Sequence, residues 1–88
     1  MKKRTAKRAS DSDKKRQPVI LAKFGKRLRQ LRKEAGYQSQ EVFAYEHGFN
    51  RVRYNKWEQG EDIKLSNIDR LCKALGKNVK DLFSDGFE

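Results

Sequence analysis

The side chains best suited to bind another molecule lie close together in the second half of the 88-residue chain. Arg51, Val52, Asn55 and Lys56 are separated by one, three and four positions, so a helix would present them on a common outward face. The set combines two long cations, an amide and a small apolar group. Such groups donate paired hydrogen bonds or make apolar contacts, which are the interactions that base edges in a major groove offer.

Sequence spacing gives no support for catalysis or metal binding. His47, the one histidine, has no partner at a metal-binding or catalytic spacing, so we expect it to be structural or at the surface. The sequence shows no phosphate-binding glycine loop, no His-Glu metal motif and no clustered Ser, His and Asp. We therefore expect no enzyme activity, no metal site, no small-molecule substrate and no cofactor.

Charge is the strongest signal in the composition. The net charge is +10 and the isoelectric point is about 10.0, which favours a polyanionic partner such as DNA, RNA or an anionic membrane surface. No apolar run approaches the roughly 18 residues that cross a bilayer, and the apolar stretch of a secretory signal is missing. The one cysteine, Cys72, cannot form an intrachain disulfide. We expect a cytoplasmic protein without membrane association.

The positive charge is concentrated at the N-terminus. Residues 1–17 hold eight Lys or Arg and two Asp, whereas residues 18–88 hold fourteen Lys or Arg and ten acidic residues. The first segment has no large apolar residue after Met1, so burial cannot offset the entropy lost on ordering it. The sequence predicts a disordered basic tail over 1–17, which is either solubilising or a non-specific phosphate-binding arm, and a folded domain over 18–88.

The longest predicted element is a helix from about residue 19 to residue 35. Pro18 suits its first turn, and Gly36 can adopt the left-handed conformation that ends a helix. Apolar residues recur at spacings of three and four along this segment and form one stripe: Leu21, Phe24, Leu28, Leu31 and Ala35.

Two short helices follow, and they meet across a very tight turn. Ser39 is a good N-cap for the second helix, which Gly48 ends, and Asn50 is a good N-cap for the third, which Gly60 ends. Only Phe49 lies between Gly48 and Asn50.

The rest of the chain predicts a fourth and a fifth helix. The fourth carries one apolar stripe and is followed by Gly76: Leu65, Ile68, Leu71, Cys72 and Leu75. Asn78 caps the last helix, and Asp81 can reach back to the cap. The apolar positions of that helix are Val79, Leu82 and Phe83. Strand signals are absent, so the sequence predicts a compact all-α domain of five helices.

The second and third helices match the DNA-binding helix-turn-helix, in which the second of two closely joined helices is exposed and basic. Ala44 is small, so the third helix can cross close to the second, and Gly48 allows the turn. Phe49 can fill the core between the helices, while Tyr54 and Trp57 face inward. The sequence therefore predicts sequence-specific binding of double-stranded DNA by a transcriptional regulator.

The same residues resemble the Cro and phage-repressor-like (XRE-type) helix-turn-helix family. The matching positions extend over about residues 24–83 and are spaced rather than confined to one string: 39–44, 48–51, 54, 57–60, 71–76 and 82–83. The resemblance implies a five-helix fold whose helix-turn-helix is formed by helices 2 and 3. It also implies binding in the major groove as a homodimer, no cofactor, and association with a bacterial or phage-type nucleoid.

Roles for single residues follow from the resemblance. The residues implied to contact bases are Arg51, Val52, Asn55 and Lys56. Those assigned to the DNA backbone are Gln40, Asn50, Arg53 and Gln59, of which Gln40 would also brace the third helix. Arg32 and Glu58 would form an ion pair that ties the first helix to the third.

Several functional questions stay open at this level. A repressor, a restriction-modification controller and an antitoxin all fit the sequence. A protein-interaction module or coactivator of the same fold is the alternative, and the acidic Glu61 and Asp62 are compatible with it. RNA binding has only the net charge in its favour. Phe83 and Phe87 are candidates for a dimer interface.

Deleting residues 1–17 should weaken DNA binding and flatten its salt dependence if the tail is a phosphate-binding arm. Each lost phosphate contact reduces the slope of log affinity against log salt concentration by about 0.9. Preference between DNA sites should not change, because phosphate contacts carry no sequence information. Titrations of both chains at several salt concentrations measure these quantities, and an unchanged slope would leave the tail as a solubilising segment.

Overall fold

The computed structural model describes residues 18–84 and residue 87, and the predicted basic tail over 1–17 lies outside them. The described residues form five α-helices and no β-strand, which confirms the all-α prediction. In chain order the helices are α1 (Val19–Glu34), α2 (Gln40–His47), α3 (Arg51–Glu58), α4 (Leu65–Leu75) and α5 (Val79–Leu82).

Local sequence signals set most of the helix ends. The Ser39 hydroxyl accepts a hydrogen bond from the Val42 backbone N–H at 3.3 Å, as an N-cap does. Asn78 and Asp81 form a capping box at the start of α5. Gly48 ends α2 in the left-handed region with φ of 73°. Pro18 is an exception, because it occupies the N-cap of α1 rather than its first turn.

The helices enclose one apolar core. α1 packs across α3, α2 packs on α3, and α5 contacts both α1 and α4. The side chains that are fully buried come from all five helices: Leu28, Leu31, Phe43, Tyr54, Leu71 and Leu82. Cys72 is also buried, as its place on the apolar stripe predicted. No described helix has both the length and the apolar character needed to span a membrane.

Three apolar positions predicted to face the core are exposed instead. Ala35 is the C-cap of α1 and lies in solvent. Leu65 and Val79 are 82% and 56% exposed. Each lies at an end of its helix, and the spacing of apolar residues does not say whether another element covers that end.

One glycine allows α1 and α3 to touch through their backbones. Gly25 is buried in the middle of α1, and a Cβ atom placed on it would lie 2.4 Å from the Glu58 carbonyl oxygen. The same atom would lie 2.9 Å from the carbonyl oxygen of Trp57. Because both neighbours are backbone atoms, neither can move aside without shifting α3. Gly25 therefore sets the closest approach of the two helices.

Replacing Gly25 with Ala should destabilise the domain by about 1–3 kcal/mol, the usual cost of overpacking a core. The loss should appear even though alanine favours a helix by about 1 kcal/mol relative to glycine. Urea denaturation measures the free energy of unfolding, and Lys26→Ala at the exposed neighbouring position is the control. A Gly25→Ala protein as stable as the wild type would show that α1 and α3 can separate without penalty.

Candidate nucleic-acid interface

The turn between α2 and α3 has three residues, and an aromatic side chain fills the space beneath it. Gly48 supplies the left-handed backbone, and Phe49 is 7% exposed. The Phe49 ring lies 6.1 Å from the Phe43 ring and 5.8 Å from the Trp57 ring, measured between centroids. The turn is therefore fixed by side chains from both helices that it joins.

Arg70 on α4 holds the same turn from outside. Its Nη2 donates a hydrogen bond to the Gly48 carbonyl oxygen at 2.8 Å. The guanidinium carbon lies 4.4 Å from the centroid of the Phe49 ring, a favourable cation–π arrangement. No local sequence pattern marks this role, because Arg70 is an ordinary polar position on the outer face of α4.

The outer face of α3 carries the four residues predicted to contact bases. Arg51, Val52 and Lys56 are exposed, and Asn55 is half-buried. Arg51, Val52 and Asn55 line a shallow groove of about 260 Å³ with Gln40 and Glu41 of α2. On the opposite face of α3, Tyr54 is fully buried and Trp57 is 4% exposed. The inward aromatic pair was predicted correctly, and it anchors the helix so that its outer face is free for contacts.

Lys56 lines a second groove of about 450 Å³, which lies between α3 and the start of α4. Arg53 lies in this groove too, together with Lys64 and Asn67, two residues that no sequence motif indicates. No capping signal marks Lys64 in the sequence, because it occupies the N-cap position of α4 without a side-chain hydrogen bond to the helix. The carboxylates of Glu61 and Asp62 line the same groove and reduce its positive potential.

The other residues assigned to the DNA backbone lie near both ends of α3. Asn50 is exposed and caps the helix, because its Oδ1 accepts a hydrogen bond from the Arg53 backbone N–H at 2.9 Å. Gln59 is exposed at the C-cap. Gln40 is half-buried, and its Nε2 donates to Glu58 Oε1 at 2.7 Å, which braces α3 from α2.

The structure brings Arg32 and Glu58 together as a buried ion pair. Arg32 Nε lies 2.8 Å from Glu58 Oε2, Nη2 lies 3.3 Å from Oε1, and each side chain is 3% exposed. The two-pronged contact matches a planar guanidinium to a carboxylate. Arg32 Nη1 also donates to the backbone carbonyls of Tyr37 and Gln38 at 2.9 and 2.8 Å. One arginine therefore connects α1 to α3 and to the segment before α2.

Tyr54 completes this network from within α3. Its hydroxyl donates a hydrogen bond to Glu58 Oε2. No buried side-chain nitrogen or oxygen in the described part of the chain lacks a partner. A fully satisfied network is the condition under which a buried charge is tolerated. Among the described residues, no group of three or more potential metal ligands is present.

A family model for a helix-turn-helix domain matches residues 23–80, a span that extends from within α1 to within α5. This chain belongs to the helix-turn-helix domain family. The fold and the predicted family resemblance are thereby confirmed, and the helix-turn-helix protein is a DNA-binding transcriptional regulator.

Two relatives are similar to this helix-turn-helix protein over most of their length. Control protein C.MunI of a Mycoplasma species is 37% identical over 67 residues, which cover 75% of this chain and 90% of the relative. Control protein C.BamHI of Bacillus amyloliquefaciens is 38% identical over 60 residues, which cover 67% and 74% of the two chains. No solved structure matches the chain significantly.

The ionisation of Glu58 depends on the network in the helix-turn-helix domain. Burial by itself would raise its pKa, but hydrogen bonds from Arg32, Tyr54 and Gln40 outweigh burial and hold the pKa below its ordinary value of 4.5. Burial and the Glu58 carboxylate raise the pKa of Tyr54, so its hydroxyl stays protonated and acts as the donor. The network is therefore intact at neutral pH.

Replacing Glu58 with Ala should destabilise the domain by about 3–5 kcal/mol at pH 7, because Arg32 would be left as an unpaired buried charge. The wild-type protein should also lose stability in acid. Since the pKa of Glu58 is lowered by folding, its contribution is fully present above pH 4.5 and disappears as the pH falls through the lowered value. Urea denaturation between about pH 3 and pH 7 measures both effects, with the pH range set by the unfolded pKa of glutamate.

The variant Glu34→Ala, at an exposed position on α1, is the control for this experiment. A double-mutant cycle of Arg32→Ala and Glu58→Ala isolates the coupling between the two charges. A coupling energy near zero would contradict the brace and would leave Glu58 as an ordinary helix-end residue.

Proposed function

We propose that this protein is a sequence-specific regulator that inserts α3 into the major groove of operator DNA. The observation that carries the proposal is the division of α3 into two faces. Its inner face is buried through Tyr54 and Trp57, while Arg51 and Lys56 extend into solvent on the other side. In the proposed complex Arg51, Val52, Asn55 and Lys56 contact base edges, because arginine, lysine and asparagine donate to purine acceptors and valine can contact a thymine methyl group.

Backbone contacts in this proposal flank the base contacts. Asn50 uses its carbonyl oxygen for the helix cap, so its amide hydrogens can donate to a phosphate. Gln40 reaches the DNA with the second hydrogen of its amide, and Gln59 acts from the other end of α3. Arg53 contributes charge from the groove that it shares with Lys64. These contacts position the protein, and the base contacts specify the site.

Among the three regulatory roles that the sequence allowed, we favour the restriction-modification controller. The support for this choice is that both relatives carry the name control protein. A regulator of this kind acts where the chromosome lies, so we also propose a cytoplasmic location and association with the nucleoid when DNA is bound. Catalysis has no part in the proposed function.

We further propose that the protein binds DNA as a homodimer. One eight-residue helix contacts few bases, so two copies are needed for a selective site. Half-sites would be about 10 base pairs apart, one turn of the DNA duplex. Phe83 and Phe87 stay candidates for the interface, since their rings meet edge to face with centroids 5.0 Å apart and line a surface groove with Val19 and Ile20. Val19 and Ile20 are 68% and 55% exposed.

Selection of bound duplexes from a random pool tests the proposal. The recovered site should be pseudo-palindromic and should bind roughly 10³-fold or more tightly than random DNA. Replacing Arg51 with Ala should cost about 1–3 kcal/mol on that site and relax the preference at one base position in each half. Arg29→Ala, which removes the same charge from the exposed face of α1, is the matched control.

Two results would contradict the proposed function. Failure to enrich any sequence would favour a protein-interaction module of the same fold over a regulator that reads bases. Equal losses on specific and random DNA in Arg51→Ala would reassign Arg51 to phosphate.

A further inference from the structure

An exposed ion pair joins α2 to the first residue of α3 within the proposed DNA-binding surface. Arg51 Nη1 donates a hydrogen bond to Glu41 Oε2 at 2.6 Å. The Arg51 side chain is 63% exposed and the Glu41 side chain is 68% exposed. Both residues line the shallow groove that also contains Val52 and Asn55. A carboxylate therefore contacts the arginine that we propose to read a base.

The contribution of this pair to folding gives little reason for its presence. Exposed ion pairs stabilise proteins weakly, because solvent screens the charges and two long side chains must be ordered. Glu41 lies in the first turn of α2, where the helix dipole favours an acidic residue whether or not Arg51 is near. In contrast, a negative charge beside a DNA-binding groove opposes the approach of phosphates. The pair is expected to affect binding more than stability.

The geometry of a guanidinium allows Arg51 to serve two partners at once. The group carries five N–H donors in one plane, and Glu41 accepts from Nη1. The other donors can still form directional hydrogen bonds with the acceptors on a base edge. Because the pair as a whole is neutral, its attraction to phosphate is weaker than that of a free arginine. The carboxylate thus weakens the attraction of Arg51 to phosphates, which does not depend on DNA sequence. It leaves the hydrogen bonds of Arg51 to a base edge, which do.

We propose that Glu41 determines specificity by positioning Arg51 for base contact and by reducing its attraction to phosphates. This role rests on the proposed function, because it requires that Arg51 faces DNA. It makes Glu41 a positioning residue, since it acts through Arg51. The consequence is that loss of the carboxylate releases Arg51 to bind phosphate at any sequence.

The variant Glu41→Gln removes the charge and keeps the size of the side chain. Its affinity for random duplex DNA should rise roughly two- to five-fold, the range expected when one exposed ion pair is lost. The slope of log affinity against log salt concentration should steepen by about 0.9 if Arg51 then neutralises one more phosphate. Affinity for the selected site should not rise, so the ratio of specific to random binding falls. Preference should relax at the base position that Arg51 reads.

Two matched variants separate this mechanism from a general effect of charge. Glu61→Gln removes one negative charge from the groove between α3 and the start of α4, which Arg51 does not line. It should therefore leave the preference at the base position read by Arg51 unchanged. In an Arg51→Ala background, Glu41→Gln should no longer alter the base preference. Thermal unfolding checks that each variant stays folded, and Glu41→Gln should lose only the small stabilisation that the helix dipole gives to an acidic residue in the first turn.

The outcome that overturns the inference is an equal rise of affinity for selected and random DNA in Glu41→Gln. That result would make Glu41 a source of repulsion without a role in specificity. The preference of the wild-type protein for its selected site is measured first. A wild-type chain without any preference would overturn the proposed function and this inference together, whereas a wild-type preference that Glu41→Gln leaves unchanged overturns the inference alone.

Discussion

The carboxylate of Glu58 is the point at which three helices of this domain are joined. It accepts hydrogen bonds from Arg32 of α1, Gln40 of α2 and Tyr54 of α3. A buried carboxylate loses the solvation that it has in water, so it must be fully paired or it destabilises the fold. Here each helix supplies a donor, and the pairing can be complete only when all three helices are correctly placed. The network therefore specifies the arrangement of the helices, and the apolar core supplies most of the stabilising free energy.

Two further close contacts fix the position of α3 within that arrangement. Gly25 lets α1 approach the backbone of α3 near its end, and Arg70 holds the turn at its beginning. With both ends constrained, α3 has little freedom to shift relative to the rest of the domain. Side chains on its outer face can then contact DNA without the loss of conformational entropy that ordering the helix would cause. Such preorganisation favours binding because less conformational entropy is lost on association.

The distribution of charge separates the general attraction to DNA from the discrimination between DNA sequences. The net charge of +10 attracts any duplex, independently of its sequence. The outer face of α3 offers directional hydrogen bonds, and acidic residues lie on both sides of it, with Glu41 beside Arg51 and Glu61 near Lys56. These carboxylates lower the local positive potential where phosphates approach. A basic protein that must discriminate between sites benefits from such local compensation, because non-specific binding competes with specific binding.

The sequence by itself determined the features that depend on near neighbours. The order of five helices, the caps at Ser39 and Asn50 and the inward aromatic side chains all follow from spacings within a few residues, which backbone geometry converts directly into structure. Burial near the ends of helices was less predictable, since periodicity places Leu65 on a stripe but does not say whether another helix covers it. Only the tertiary structure decided that Gly25 touches α3 and that Arg70 clamps the turn. Those contacts join residues more than twenty positions apart in the sequence. Whether such residues touch depends on how whole helices pack and not on any local preference.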